Sequence, residues 1–398
     1  MPRHSLHRRA ALGLLASACL APAARAAPDP PALDRFLDRA RAAALDAGVG
    51  RATVERETAG LTLDPALLAR ASAQGEFSLT PRAYVEGAVK GRVSAGQARL
   101  RQHRAALDAV ERRFGVSREI VVALWGLESG FGSAQGGHDV LRSLATLGAA
   151  QPQRDLFQTE FVAALAILDR GAAPRARLVG SWAGAMGQPQ FMPSSYLRHA
   201  VSLAGAGAPD IWGSAEDSLA SIGNFMRGSG WAPGLPPVIE ARVPPGFDWG
   251  PTDLDLARWR ASGFSRVGGG ALPDGGAAHL FLPAGANGPA LLLTANFEAI
   301  RAYNLSDAYA LAAFVLGERI AGRPGLATPW GPDADALPVS GRRALQERLA
   351  ALGFYHGVAD GKVGRATRLA VHAYQIAHGI RPADGFGGTA LLDRLDGR

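Results

Sequence analysis

From Ser117 to Gly132 the chain reads as a helix whose apolar positions Val121, Leu124 and Trp125 recur at core spacing. Glu128 follows them on the same stripe, so an acid stands where the periodicity calls for a core residue. Ser117 occupies the place of an N-cap hydroxyl, Glu119 puts negative charge in the first turn, and Gly130 and Gly132 end the run. A carboxyl group at a core position loses hydration, which disfavours its anion. A carboxylic acid that keeps its proton near neutral pH is what glycosidic cleavage asks of a general acid. The same residue also reads as a buried glutamate held by a structural hydrogen bond or an arginine. The segment by itself leaves both readings open.

Helical patterning, interrupted by Gly and Pro, covers 31–115 and is clearest at 34–47 and 97–114. It returns at 141–147, 156–168, 217–226 and 296–317. The stretch 180–196 differs, because its small residues let a backbone approach a ligand while Ser, Gln, Met and Phe offer contacts. Gly and Pro dominate 233–293, with short apolar runs at 278–282 and 290–293, which predicts a small β-containing insertion. A linker dense in Pro, Gly and Asp is expected at 322–336. Beyond it, helical stretches at 341–352, 365–379 and 388–395 alternate with turns at Gly353, Gly357, Asp360-Gly361 and Asp384-Gly385. Thr367 and Thr389 are expected to cap the last two helices.

The 398 residues allow more than one compact unit, and 47% hydrophobic against 19% charged residues describes a globular chain. The net charge of +7 comes almost wholly from Arg, since Lys occurs only at Lys90 and Lys362. Attraction to an anionic polymer such as a cell wall is compatible with that charge. The absence of a dense Arg/aromatic stripe argues against nucleic acid as a partner. At the N-terminus, Arg3, His4, Arg8 and Arg9 precede an apolar stretch over 10–20 that is short for a bilayer span. Ala24-Arg25-Ala26 then offers a cleavage site, so 1–26 reads as a signal peptide for export to the periplasm. Arg8-Arg9 resembles a twin-arginine signal. The rival is a lipoprotein anchored at Cys19, the single cysteine, although Ala16 stands where such boxes usually carry Leu. Only that lipid would bring the chain to a membrane.

Taken together, these residues resemble the lytic murein transglycosylase B family, lysozyme-like enzymes of bacterial peptidoglycan. The most specific piece is 180–196, with Ser181, Met186, Gln188, Pro189, Gln190, Phe191, Pro193 and Tyr196 in register. Glu128-Ser129 with Phe131-Gly132 forms a second piece, and Asn296-Phe297, Ile300, Tyr303-Asn304, Ser306 and Tyr309 a third. Leu345-Gln346, Leu349, Gly353, Tyr355, Gly357, Asp360-Gly361, Gly364, Thr367 and Tyr374-Gln375 follow the spacing of a peptidoglycan-binding module. The resemblance implies a mainly α (α+β) protein. Its parts would be a lysozyme-like catalytic domain over 27–321 with a small β-containing insertion, a linker at 322–336, and a three-helix peptidoglycan-binding domain over 337–398.

The family's catalytic acid falls on Glu128. Its sugar contacts fall on Ser181, Gln190, Tyr303, Asn304 and Tyr309, with Met186 and Phe191 shaping the same groove. Tyr303 and Tyr309 read equally well as packed side chains. Some relatives carry a calcium-binding loop that corresponds to 202–212, but only Ser202 and Asp210 offer side-chain oxygens there, so no metal is expected. Phe225 stands where relatives can have Tyr, and of the Arg-rich pattern relatives carry after the third helix only Arg154 remains.

Glycosidases ordinarily use two carboxylates. Asp139, Glu160 and Asp210 are present, yet nothing in the sequence marks a second catalytic acid among them. The resemblance implies that Glu128 first protonates the β-1,4 oxygen between N-acetylmuramic acid and N-acetylglucosamine. It then takes a proton from the muramic C6 hydroxyl as that oxygen closes on C1, giving a 1,6-anhydro sugar. Expected are a monomer, peptidoglycan strands as the partner, and no cofactor. The alternatives are a hydrolytic muramidase and a non-catalytic peptidoglycan-binding protein. A metallopeptidase is disfavoured because no His-Glu-x-x-His occurs, and the serines lack a nucleophile-elbow context.

Overall fold

The computed structural model describes residues 30–73, 79–205, 207–331 and 336–397; the export signal and Cys19 lie outside the described residues. In chain order come α1 (Pro30–Asp46), α2 (Arg51–Thr58), α3 (Pro65–Ala73), α4 (Pro81–Val89), α5 (Val93–Gln102), α6 (Arg104–Phe114) and α7 (Arg118–Ser129). Next are β1 (His138–Asp139), α8 (Val140–Ala150), α9 (Asp155–Asp169), β2 (Val179–Gly180), α10 (Pro193–His199) and α11 (Ala215–Gly228). The third group is β3 (Val238–Arg242), β4 (Asp253–Asp255), α12 (Leu256–Ala261), β5 (Ser265–Arg266), β6 (Ala277–Phe281) and β7 (Ala290–Thr294). Five helices finish the chain: α13 (Ala295–Asn304), α14 (Asp307–Ile320), α15 (Val339–Ala351), α16 (Arg365–Ala377) and α17 (Thr389–Leu395). The protein is mainly helical with small sheets. It divides into two units, one of Met1–Gly75 with Ser94–Gly228 and one of Glu76–Val93 with Ser229–Arg398.

In the first unit α7 is apolar on nearly every face, and such a helix belongs inside. Every residue from Ile120 to Ser129 is buried, with α6 and α11 packed alongside. Gly223 on α11 lets that packing close up, because a Cβ there would come within 2.7 Å of Val110. Helices α1, α8 and α9 build a second layer, in which Phe36 meets Phe161 edge-on at 5.5 Å. Strands β1 and β2 form a short antiparallel pair that sets Asp139 opposite Val179.

The second unit contains the predicted insertion as a five-stranded antiparallel sheet in the order β4-β6-β7-β3-β5. Leu292 of β7 pairs with Ile239 on one side and Leu280 on the other, and all three are buried. Trp259 of α12 is fully buried in the core of this sheet, its indole N–H donating to the Ala278 carbonyl at 2.9 Å. Helices α15, α16 and α17 enclose Leu345, Leu349, Val371, Tyr374 and Leu391.

Several expectations change in detail. The 97–114 stretch is two helices that break at His103, whose ring meets Trp125 edge-on at 5.4 Å and Glu216 at 3.1 Å. The 296–317 stretch is likewise two helices, parted by Leu305 in the left-handed region at φ 50°. Ser117 does occupy the N-cap of α7, but its side chain makes no capping bond. Gly364 and Gly388, not the two threonines, hold the N-cap positions of α16 and α17. Thr367 instead accepts a bond from the buried Gln346 amide at 3.0 Å.

Candidate active site

Glu128 lies at the C-terminal end of α7 with 4% of its surface exposed. The turn behind it is unusual, because Gly130, Phe131 and Gly132 are all left-handed, at φ 57°, 61° and 82°. Glycine adopts this backbone freely, but Phe131 holds it at a cost of about 1 kcal/mol or more. Packing offsets that strain. The Phe131 ring stands edge-on to Trp125 at 5.7 Å and nests over Gly126, where a Cβ would come within 2.6 Å of it. Ser129 Oγ accepts from the Gly132 amide at 2.9 Å and closes the turn.

The 180–196 stretch folds into two successive tight turns. Ser181 and Ala185 bond at 2.7 Å through the backbone, and the Ala185 amide also donates to Ser181 Oγ at 3.1 Å. Met186 and Phe191 exchange backbone bonds at 2.8 and 3.0 Å. Ser181 and Gln190 are half-buried, and both keep capacity for a ligand after their internal bonds are counted. A serine hydroxyl that accepts one bond still has a proton to give. Gln190, left-handed at φ 52°, spends its amide nitrogen on the Gln135 and Gly187 carbonyls at 3.1 and 2.8 Å. Its Oε1 is an acceptor in none of these bonds. Met186 and Phe191 are 0% and 2% exposed, so they shape this segment from beneath. Phe225 supports Phe191 with ring centroids 5.7 Å apart.

Two glutamines to which the sequence assigned no role join these pieces. Gln188, 6% exposed, accepts the Trp125 indole N–H at 3.0 Å and donates to the Trp212 carbonyl at 3.2 Å. Gln135 donates to the same Trp212 carbonyl at 3.0 Å and to the Gly132 carbonyl at 3.2 Å. The helix that carries Glu128, the turn behind it and the 181–191 segment are thereby bonded into one assembly. The available sequence signal was Gln-Pro-Gln inside a run of small residues, which says nothing about partners sixty positions away.

The three other acids are all committed. Asp139 caps α8 through the Arg142 amide at 2.8 Å and pairs with Arg175 at 2.7 Å. Glu160, 4% exposed, accepts from the Ser194 amide at 2.8 Å and hydroxyl at 2.7 Å, which fixes the start of α10. Asp210 accepts from the Gly213 amide at 2.8 Å and pairs with Arg177 at 2.7 Å. Burial alone would push the Asp210 carboxyl up, but the Gly213 amide, Arg177 and the Trp212 amide hold it below the usual carboxylate range. The 202–212 loop is further tied by Asp217, which accepts from the Leu203 and Asp210 amides at 2.9 Å each. Burial, with Asp210 and Asp217 adding to it, pushes the Tyr196 phenol up to about 12. Its hydroxyl donates to the Pro209 carbonyl at 2.9 Å. Among the described residues, no cluster of His, Cys, Asp and Glu is placed to hold a metal ion.

Tyr303, Asn304 and Tyr309 lie on the second unit, at the α13–α14 turn. Tyr303 and Asn304 are half-buried, whereas Tyr309 is 1% exposed, so its ring offers no open face for a sugar. Ser306 caps α14 by accepting the Tyr309 amide at 3.3 Å. Asn296, another residue of this block, is wholly buried and bonds both ways with the Ala232 backbone, at 2.7 and 2.8 Å.

Comparison with known proteins gives two family matches: a transglycosylase SLT domain over residues 32–318 and a putative peptidoglycan binding domain over 339–395. The chain is 32% identical over 229 residues to the membrane-bound lytic murein transglycosylase B of Escherichia coli (strain K12), covering 55% of this chain and 61% of that relative. It therefore spans about three-fifths of the length of the curated relative, less than two thirds. Among solved structures, SltB3 from Pseudomonas aeruginosa in complex with NAG-anhNAM-pentapeptide is 42% identical, with a TM-score of 0.82 over 92% of this chain and 99% of that one. The same enzyme in complex with NAG-NAM-pentapeptide superposes with a TM-score of 0.82 at 42% identity, over 91% of this chain and 99% of that one.

Proposed function

The chain belongs to the transglycosylase SLT domain family, and we propose that it is a lytic transglycosylase that cuts peptidoglycan with Glu128 as its one catalytic acid. Glu128 gives its proton to the glycosidic oxygen between N-acetylmuramic acid and N-acetylglucosamine. The resulting carboxylate then takes the proton of the muramic C6 hydroxyl while that oxygen bonds to C1. The product is a 1,6-anhydro sugar and no water is consumed. Ser181, Gln190, Tyr303 and Asn304 are the proposed glycan contacts. Holding a reacting group in place in this way lowers a barrier by several kcal/mol.

The observation that carries this reading is the placement of Glu128, buried at the C-terminal end of α7. Asp139, Glu160 and Asp210, the other acids weighed for catalysis, are held in structural bonds to amides, a hydroxyl or an arginine, whereas hydrolysis of the ordinary kind draws on a second carboxylate. The relative captured with an anhNAM-containing ligand supports the same reaction. We assign 27–321 to catalysis, 322–336 to a linker and 337–398 to peptidoglycan binding, supported by the two family matches. The site of action is the periplasm, reached through cleavage of the signal peptide 1–26. The test is turbidity of purified walls with the parent and with Glu128→Gln. The parent clears the suspension, and the variant loses about 10²–10⁴ of the rate while still binding walls. A variant that clears walls as fast as the parent removes Glu128 from the role.

A further inference from the structure

Helix α16, inside the stretch matched by the peptidoglycan-binding family, does not stand clear of the rest of the second unit. Arg368 reaches Asp307, the first residue of α14, with Nη2 2.7 Å from Oδ2. The other oxygen of that carboxylate forms an ion pair with Arg301 of α13, Oδ1 lying 2.7 Å from Nε. Both members of the first pair are shielded, with 14% of the Arg368 side chain and 12% of the Asp307 side chain exposed. The Arg368 guanidinium lies over the Phe281 ring of β6 at 4.3 Å. Beside it, His372 Nε2 donates to the Trp249 carbonyl at 2.6 Å, and Asp384 accepts from the Ala286 amide at 3.0 Å.

A module that only tethered an enzyme to the wall would have no use for such a pair, because stripping water from two charges is costly. The location of the pair supplies a use. Asp307 follows the left-handed Leu305 and the cap Ser306, and Arg301 precedes Tyr303. One carboxylate thus ties the helices on both sides of the turn, and Arg368 holds that carboxylate from the C-terminal module.

We propose that Arg368 is a positioning residue which, through Asp307 and Arg301, sets the α13–α14 turn that presents Tyr303 and Asn304 to glycan. The C-terminal module then contributes to substrate binding at this turn, in addition to holding the wall. The inference rests on the reading of Tyr303 and Asn304 as glycan contacts.

The experiment measures KM and kcat of the full chain on a soluble, uncrosslinked glycan oligomer, for which anchoring to insoluble wall is irrelevant. Arg368→Met raises KM about tenfold and leaves kcat within about twofold, the pattern of lost binding rather than lost chemistry. Co-sedimentation with walls stays at the parent level, and Arg368→Lys, which keeps the charge, recovers part of the KM. Asp307→Asn gives the same KM rise, and the two substitutions together add little to either. Asn304→Ala separates the two claims. If it raises KM while Arg368→Met does not, the positioning role is wrong and the glycan contact stands. If Asn304→Ala leaves KM unchanged, the glycan reading of the turn is wrong and the inference goes with it. Should Arg368→Met fail to fold, Arg368→Lys decides by the same KM: a parent-like value with Asp307→Asn also parent-like overturns the proposal, and a raised one supports it.

Discussion

Around Glu128 the long-range bonds run between glutamine amides, an indole and main-chain carbonyls, whereas at Asp307 they run between a carboxylate and two guanidiniums. Both regions fix a turn next to residues with a proposed role in the reaction, yet they use opposite chemistry. The glutamine amides fix the geometry of the turn behind Glu128 without adding a charge of their own. An ion pair instead favours the charged state of its acid. Asp307 is held in that way, and it stays charged over the pH range in which the enzyme would work.

The comparison can be broken by removing one member of each network. The largest loss of stability is expected for Asp307→Ala, which leaves Arg368 charged and shielded without its acid; about 3 kcal/mol should be lost in urea unfolding. Gln188→Leu comes next, at about 1–3 kcal/mol, because the Trp125 indole N–H is left unpaired in the interior. That loss should be the same at low and high salt and across neutral pH, whereas the Asp307→Ala loss shrinks in acid. Ser306→Ala removes only the α14 cap and is expected to cost about 1 kcal/mol in the same assay.

The acid dependence has a definite sign. Burial alone would push the Asp307 carboxyl up, but Arg368 and Arg301 hold it below the usual range. A carboxylate with a lowered native value contributes stability above the ordinary aspartate pKa of about 3.9 and loses it as pH falls further. Parent stability should therefore drop below about pH 4 more steeply than that of Asp307→Asn. Parallel curves would show that the pair contributes nothing to the fold.

Periodicity made the α7 helix and the position of Glu128 legible, because one helix carries its own register. The breaks at His103 and Leu305 were not legible, since neither residue is a glycine or proline, and His103 is held by Trp125 and Glu216 from far along the chain. Thr367 looked like a cap because hydroxyls near helix starts often are, but Gln346 claims it from twenty-one residues away. The Gln188 and Gln135 bonds were invisible for the same reason, as was the pair formed by Arg368 and Asp307 across sixty-one residues. Tyr309 was legible only as an alternative, a sugar contact or a packed side chain, and the structure gives it 1% exposure.

The chemistry itself is tested most directly by mass spectrometry of the fragments released from purified walls. Termini that lack the elements of water at the muramic acid, as an internal C1–C6 bridge requires, are the predicted result. Fragments that end instead in ordinary reducing muramic acid would mean that water attacks C1, and the single-carboxyl mechanism would have to be given up.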